Sequence, residues 1–316
     1  MTLSPSSLKD LSRGLSHAYA LGEKVESVEL GALNQILKYT PEDMTVTVEA
    51  GVTLEALQTR LAEQKQWLPI DPPRSGRRTL SDLLSTNASG PRRFGCGMIR
   101  DYLIGLKVAL ADGRLVRSGG EVVKNVAGYD LGKLFIGSQG SLGVIAEATF
   151  KLRPLPESER FVGARCESLD KADELIESVM RSELTPIVID LYNLGAPRTP
   201  HAAAATLLLG FAGTVDEVEW QWSAAAKFGL STLVACGEEE EFWADPAPAH
   251  RLSVMPSRTI ETLRRLNGVP FVARAGNGII YHRGSPPVRR NELPLKLMRR
   301  LKEAYDPKHI LPELPW

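Results

Sequence analysis

The sequence has few cysteines, no excess of either charge and no long apolar run, and each absence excludes a class of protein. Its 316 residues include three widely spaced cysteines, Cys96, Cys166 and Cys236, which fit neither a disulfide framework nor a zinc knuckle. Thirty-eight basic residues balance thirty-eight acidic ones, so no net field favours nucleic acid. No apolar run approaches the roughly 20 residues that cross a bilayer, and the N-terminal segment lacks the apolar core of a secretory signal. We therefore expect a cytoplasmic protein without a transmembrane segment or a nucleic-acid partner.

The sequence also lacks the usual motifs of metal and nucleotide sites. Its five histidines stand apart, with neither H-x-H nor H-x-x-E, so no metal site is expected. The glycine-rich segments contain no GxxxxGK[ST] and no GxGxxG between a strand and a helix, which argues against a P-loop and a Rossmann site. A large ligand would have to be held by loops instead.

Two segments rich in glycine are present, at 71–97 and at 119–145. The second reads GGEVVKNVAGYDLGKLFIGSQGSLGVI, and apolar residues run through it as they do in buried structure. Glycine marks tight turns or a close approach of the backbone to another group. The segment is therefore either a series of turns between strands or a backbone cradle around a large cofactor. The loops at 85–97 and 119–143 could supply the N–H donors that a buried diphosphate needs.

Periodicity predicts the main elements. Residues 44–52 alternate as a strand, and Thr53 is expected to cap a helix. Asp112-Gly113 predicts a hairpin turn. After a predicted linker at 153–159, helices and strands alternate without long parallel crossovers, which predicts a small α+β domain. We expect the acidic run Glu238–Glu241 to be a solvated loop, and the basic helix Leu293–Tyr305 to have a solvated face.

These segments resemble the vanillyl-alcohol-oxidase / p-cresol-methylhydroxylase (PCMH) type of flavoprotein, and within it the FAD-binding E subunits of bacterial glycolate oxidase. A glycine motif and an Asp-Pro dipeptide near the end of the sequence add to the resemblance. The stretches that carry it are VTVEAGVTLEALQ (46–58), STNASGPRRFGCGMIRD (85–101), the run 110–145, KLRPLP (151–156), ARAGNGIIY (273–281) and Asp306-Pro307.

The resemblance implies an α+β fold class: a PCMH-type FAD-binding domain, N-terminally shortened, followed by a smaller α+β cap domain. It places the FAD-binding domain at 1–156, with its first subdomain truncated, and the cap with the C-terminal helix at 157–316. It also implies a set of FAD contacts. They are Ser81, Asp82, Thr86, Asn87, Ser89, Gly90, Arg100, Asp101, Gly128, Tyr129, Gly143, Val144 and Ile145.

Two departures from the family predict weakened FAD binding. Relatives carry a glycine-rich turn between a strand and a helix ahead of the position of Ser27, and no such turn occurs here. Relatives also have Gly-Gly where this sequence has Ser81-Asp82. Two like charges about 4 Å apart, at an effective dielectric near 20, repel by about 4 kcal/mol. Unless Asp82 points outward, it should oppose a diphosphate.

The resemblance implies an FAD-binding subunit of an oxidoreductase complex that acts on glycolate or another small 2-hydroxy acid. The expected partners are a catalytic flavoprotein subunit and an iron–sulfur subunit, through which membrane association could arise. The alternative is a non-catalytic structural subunit that keeps the fold without FAD. A dehydrogenase active alone is least favoured, because no catalytic residue is assigned. Arg274 could bind a substrate carboxylate or form a structural pair at the surface or at an interface.

Overall fold

The computed structural model describes residues 1–120, 132–194, 205–230, 232–233, 239–246, 248–285 and 292–313. It forms two compact units. The first comprises Met1–Ala88, Met98–Leu155 and Arg289–Trp316, and the second comprises Ser89–Gly97 and Pro156–Val288. The chain passes from the first unit to the second between Leu155 and Pro156, one residue before the predicted domain boundary at 156. The two units differ from the predicted division in two segments: Ser89–Gly97 belongs to the second unit, and the C-terminal helix belongs to the first.

The bounds of the described elements follow in chain order. The helices are α1 (Leu8–Leu21), α2 (Leu54–Ala62), α3 (Leu80–Thr86), α4 (Arg93–Cys96), α5 (Ile99–Tyr102), α6 (Gly132–Phe135), α7 (Leu169–Met180), α8 (Val215–Ala226), α9 (Glu240–Ala244), α10 (Thr259–Arg265) and α11 (Glu292–Tyr305). The strands are β1 (Thr2–Leu3), β2 (Ser27–Val28), β3 (Ile36–Thr40), β4 (Thr45–Glu49), β5 (Gln66–Trp67), β6 (Leu103–Ala109), β7 (Leu115–Gly119), β8 (Val144–Lys151), β9 (Arg153–Pro154), β10 (Ser158–Cys166), β11 (Val188–Asn193), β12 (Ala205–Gly213), β13 (Thr232–Leu233), β14 (His250–Ser253), β15 (Phe271–Arg274) and β16 (Ile279–His282).

A strand–helix–strand unit opens the first unit. Strands β1 and β2 pair in parallel, and α1 connects them. The hydroxyl of Ser7 caps α1 by accepting a hydrogen bond from the Asp10 N–H, and Gly22 ends the helix with φ of 68°. The face that carries Leu11 and Leu15 is buried in the core of this unit. The turn between β1 and α1, residues 4–7, contains no glycine.

The main sheet of the first unit is antiparallel, in the order β3-β4-β8-β6-β7. The predicted cap at Thr53 is confirmed, because its hydroxyl accepts a hydrogen bond from Ala56 N–H at the start of α2. The hairpin predicted around Asp112-Gly113 is confirmed by the pairing of β6 with β7. The prediction of a loop at 85–97 is wrong in part, because α3 extends to Thr86 and α4 follows.

The second unit is built on a seven-stranded antiparallel sheet in the order β13-β10-β12-β11-β15-β16-β14. Residues of strand β11 contact a different hydrophobic cluster on each face of this sheet. Ile189 and Leu191 join a core that includes residues of α7, α8 and α10, whereas Val188 and Tyr192 join a second cluster with Phe242 of α9. Because side chains alternate along a strand, Asp190 lies on the face of Val188 and Tyr192. This small α+β arrangement was predicted.

Candidate functional site

A cleft of about 280 Å³ lies within the first unit. Four chain segments line it: residues 25–30, residues 79–85 with most of α3, residues 139–145, and Leu311–Pro312. Five of the predicted cofactor contacts are among the lining residues, namely Ser81, Asp82, Gly143, Val144 and Ile145. The volume is near the lower end of the roughly 300–1,000 Å³ typical of small-molecule sites.

The first turn of α3 forms one wall, and its N–H groups already have acceptors. Thr79 caps the helix by accepting a hydrogen bond from Asp82 N–H at 3.2 Å. The Leu80 N–H donates to the Val52 carbonyl and the Ser81 N–H to the Ala50 carbonyl, at 2.9 and 2.8 Å. The first turn of a helix normally offers unpaired donors to an anion. Here it has none left for a ligand.

Two carboxylates line the same cleft, Asp82 and Glu26. The Asp82 carboxylate accepts a hydrogen bond from Arg78 Nε at 2.5 Å, and its side chain is 46% exposed. The same guanidinium donates through Nη2 to the Thr86 hydroxyl at 2.9 Å. Arg78 therefore offsets part of the Asp82 charge, and Thr86 holds Arg78. An exposed pair of this kind is worth about 0–1 kcal/mol.

The glycine-rich loop 139–145, which includes the first two residues of β8, forms the adjoining wall and is hydrogen-bonded to α3. Gln139 N–H donates to the Ser85 carbonyl at 2.8 Å, and the Ser81 hydroxyl donates to the Ile145 carbonyl at 3.2 Å. Gln139 and Gly140 have φ of 52° and 78°. A side chain at Gly140 would meet nothing within 4 Å, so the loop presents bare backbone to open space. Glycine is needed here for its left-handed backbone.

Gly143 has a different role. A Cβ at this position would lie 2.7 Å from Val108 Cγ1 and 2.9 Å from the Ala109 carbonyl oxygen. The loop can therefore enter β8 only because residue 143 has no side chain. Val144 and Ile145 follow it as buried residues of the first core.

Asn87 ends α3 in a left-handed conformation, with φ of 49°. Its N–H donates to the Leu84 carbonyl at 3.1 Å. The side-chain Oδ1 is buried and has no hydrogen-bond partner among the described residues. Buried polar atoms are rarely left unpaired. Asn87 is thus a position at which a donor from another group would be accommodated.

The remaining predicted contacts lie elsewhere. Ser89 and Gly90 belong to the second unit, where the Ser89 hydroxyl accepts from Arg93 Nη1 at 3.2 Å. Arg100 and Asp101 lie in α5, where Asp101 accepts a hydrogen bond from the Met98 N–H. Gly128 and Tyr129 lie outside the described residues. These positions therefore stay predictions as cofactor contacts.

Arg274, the predicted substrate contact, is buried in the second unit. Its Nη1 donates to Asp190 Oδ2, and its two terminal nitrogens donate to both oxygens of Glu239 at 2.5 and 2.6 Å. The side chains of Arg274 and Asp190 are each 2% exposed. A substrate carboxylate would have to displace one of these partners. The assignment to substrate stays a prediction. A structural ion pair does form, but it is buried within the second unit and does not lie at its surface.

Two predicted solvated surfaces are partly buried. Glu239 belongs to the acidic run that was predicted as a loop, yet it pairs with Arg274, and α9 begins at the next residue. Lys302, on the predicted solvated face of α11, is also buried. The sequence did not predict either, because Arg274 lies 35 residues from Glu239 and Ser141 lies 161 residues from Lys302.

The described histidines and cysteines are not grouped as metal ligands. In the part of the chain that the structure describes, no group of three or more His, Cys, Asp or Glu side chains could hold a metal ion. Burial lowers the pKa of His282, and the neighbouring His250 lowers it further. Burial raises the pKa of the Cys166 thiol.

None of the described helices is long and apolar enough to cross a membrane.

Comparison with known proteins assigns a family to part of the chain. Residues 10–119 match the family described as FAD binding domain. The chain is 35% identical over 242 residues to glycolate oxidase subunit GlcD of Bacillus subtilis, a match that covers 71% of this chain and 50% of the relative. It is 38% identical over 124 residues to glycolate oxidase subunit GlcE of Escherichia coli, covering 39% of this chain and 35% of the relative.

The solved structure of alkyldihydroxyacetonephosphate synthase has the same fold, with a TM-score of 0.69 at 17% identity. That match covers 98% of this chain and 75% of the synthase chain. The fold is therefore a mixed α+β fold with a PCMH-type FAD-binding domain, as predicted. The chain spans half or less of the length of these two glycolate oxidase relatives. The matches support the wider family, and they do not distinguish the E subunit from the D subunit.

The cleft fits one end of FAD better than its middle. The bare backbone at Gly140 and the apolar residues Val144 and Leu311 suit a flat, neutral nucleoside. A diphosphate would meet the carboxylates of Glu26 and Asp82, and the first turn of α3 has no N–H group left to donate to it. Burying an anion without donors is unfavourable. The described residues therefore fit the nucleoside part of FAD, and α3 does not act as its diphosphate site.

Proposed function

We propose that this chain is an FAD-binding subunit of an oxidoreductase complex that oxidises glycolate or another small 2-hydroxy acid. The observation that carries the proposal is the cleft, because five of the residues predicted to contact FAD line it together. Bound FAD would supply two-electron transfer chemistry. The partners that we propose are a catalytic flavoprotein subunit and an iron–sulfur subunit, in the cytoplasm or at a membrane through those partners.

Within this proposal, the chain's own residues hold the nucleotide. The loop 139–145 would contact the nucleoside through its backbone, since Gly140 leaves that surface bare. Ser81 would keep the loop against α3 through its hydrogen bond to the Ile145 carbonyl. Arg78 would offset the Asp82 charge on the side of the phosphates. We also propose residues 1–156 as the FAD-binding domain, completed by the C-terminal helix, with the cap after residue 156.

A binding experiment tests the proposal. The purified chain is titrated with FAD, ADP and riboflavin, followed by flavin fluorescence and calorimetry. Gly140→Leu, which puts a side chain into the open space beside the cleft, should abolish binding of FAD and ADP. Gly268→Leu is the matched control, because Gly268 has φ of 79° and a Cβ there would also meet nothing within 4 Å. Equal binding by both variants would contradict the proposed site.

A second function is favoured by the carboxylates and by the occupied N–H groups of α3. In that case the chain is a structural subunit that keeps the fold and binds no FAD. It predicts a colourless protein after incubation with FAD, and no recovery of binding in Asp82→Gly alone. Tight FAD binding by the wild-type chain would rule it out. Oxidation of glycolate by this chain without partners would instead favour a self-sufficient enzyme.

A further inference from the structure

A buried lysine lies directly behind the cleft. The side chain of Lys302, on α11, is 3% exposed, and its ammonium group donates to Asp306 Oδ2 at 2.7 Å. It also donates to three backbone carbonyls, those of Ser141, Leu311 and Pro312, at 3.1, 3.0 and 3.1 Å. Ser141 belongs to the loop 139–145, and Leu311 and Pro312 line the cleft. One ammonium group therefore joins two of the cleft's walls.

Asp306 extends this connection to a third wall. It is fully buried, and its two carboxylate oxygens accept hydrogen bonds from the N–H groups of Ile310 and Leu311 at 3.1 and 2.8 Å. The Ile310 carbonyl in turn accepts a hydrogen bond from the N–H of Val25 at 2.7 Å. Val25 begins the segment 25–30 that lines the cleft. Lys302 and Asp306 thus connect three of the four lining segments.

A buried ion pair is a poor device for stability alone. Moving both charges out of water costs several kcal/mol per ion, and apolar residues of similar volume often stabilise a fold as well or better. An apolar side chain could not hold three carbonyl oxygens from two segments at fixed positions. What Lys302 adds is the geometry of the segments that it joins.

We propose that Lys302 is a positioning residue of the cleft: its ammonium group fixes the loop 139–145 against the segment 310–312, in the arrangement that admits a nucleotide. The identity of the ligand rests on the proposed function, but the positioning role does not. If Lys302 is replaced, the walls keep their sequence and lose their common donor. Apparent affinity then falls in proportion to the fraction of molecules that still have the competent arrangement.

The test compares Lys302→Met with Lys308→Met in the full chain. Lys308 is the control, because it lies in the same C-terminal segment and also donates to a backbone carbonyl, that of Tyr19 at 2.7 Å, but Tyr19 does not line the cleft. Hydrogen exchange of the amides in 139–145 and 25–30 should become at least about tenfold faster in Lys302→Met and stay unchanged in Lys308→Met. ADP should bind about tenfold more weakly to Lys302→Met.

A double variant distinguishes a role of Lys302 in positioning the loop 139–145 from a role in the stability of the fold. Lys302→Met with Asp306→Asn removes both charges and keeps a side-chain oxygen that can accept from the Ile310 or Leu311 N–H, so the fold should regain part of the stability lost in Lys302→Met. Exchange in 139–145 should nevertheless stay fast. Wild-type exchange there in the double variant would overturn the proposal, as would a double variant that does not fold.

The two proposals fail in different ways. A wild-type chain that binds neither ADP nor FAD contradicts the proposed function, while the exchange measurement still decides the role of Lys302. If the wild-type chain and the Lys302→Met variant bind ADP equally well, that result contradicts the positioning role alone.

Discussion

The cleft of the first unit and the buried arginine of the second unit differ in how far their polar groups are exposed to water. At the cleft, backbone of the loop 139–145 faces open space, and Asp82 is nearly half exposed. Around Arg274, two carboxylates occupy the guanidinium, and Arg274 and Asp190 are excluded from water. A polar group that is already paired can bind a ligand only by losing its partner. Open backbone is therefore a stronger sign of a binding site than a buried charge.

The largest effect on stability is expected at the buried ion pairs of Arg274. Arg274→Met would leave the carboxylates of Asp190 and Glu239 without their shared cation in a buried setting. Removing one partner of a buried ion pair typically destabilises a protein by about 3–5 kcal/mol. Urea unfolding measures the change in the free energy of unfolding.

Arg264→Met is the control for that variant. Arg264 pairs with Asp170 in the same unit, but the two side chains are 48% and 71% exposed. The loss should be below about 1 kcal/mol. Equal losses in the two variants would mean that the Arg274 pairs contribute no more than a surface contact.

The caps of α2 and α3 provide a second contrast. Thr79→Ala and Thr53→Ala each remove a hydroxyl that accepts an N–H of the first helical turn. Each should lower the free energy of unfolding by about 1 kcal/mol. Only Thr79 lines the cleft, so only Thr79→Ala should also weaken ADP binding. Weaker ADP binding in Thr53→Ala would show that the effect is not confined to the cleft wall.

A smaller effect is expected from the charge of Asp82. Asp82→Asn removes a carboxylate from the cleft, and because that group is exposed and paired, the gain in FAD or ADP binding should be at most about 1 kcal/mol. Calorimetric titration measures it. Asp112→Asn is the matched control, since Asp112 pairs with Arg114 at 2.6 Å in the same unit but does not line the cleft. If Asp82→Asn binds no better than the control, then Asp82 does not face the ligand.

The smallest effect concerns pH. Burial, and next the charge of His250, lower the pKa of His282 in the folded protein. The unfolded chain therefore binds a proton more readily, so stability is present above the unfolded pKa near 6.5 and is lost as pH falls through it toward the folded pKa. His282→Leu should reduce this loss between about pH 7.5 and pH 5.5, measured by urea unfolding at each pH. A flatter slope in His282→Leu than in wild type is the expected result.

Local patterns predicted the elements whose signals are contained in a short stretch. Thr53 and the leucines after it predict α2, and Asp112-Gly113 predicts the β6–β7 turn, because capping and turn formation involve neighbouring residues. Helix α3 was missed, since it is short and lies within a segment of turn-forming residues. The resemblance supplied the family and five residues of the cleft, which spacing alone could not.

Contacts between distant residues could not be predicted from the sequence. Glu239 reads as part of a solvated acidic run, and only folding brings it to Arg274, 35 residues further on. Lys302 reads as one of several cations on a basic helix. Its ammonium group nevertheless donates to the carbonyl of Ser141, which precedes it by 161 residues. Charge patterns describe composition, and pairing between segments depends on tertiary packing.

The place of Lys302 in the chain has a consequence for the order of synthesis. The cleft's other walls lie at residues 25–30, 79–85 and 139–145, and all of them are made before most of the second unit. Residues 302–312, which join those walls, are made after it. Translation at about 5–20 residues per second separates the two by several seconds or more. The cleft can therefore close only once the ribosome has passed the whole second unit, so a nascent chain stalled before residue 302 should present the loop 139–145 without its anchor.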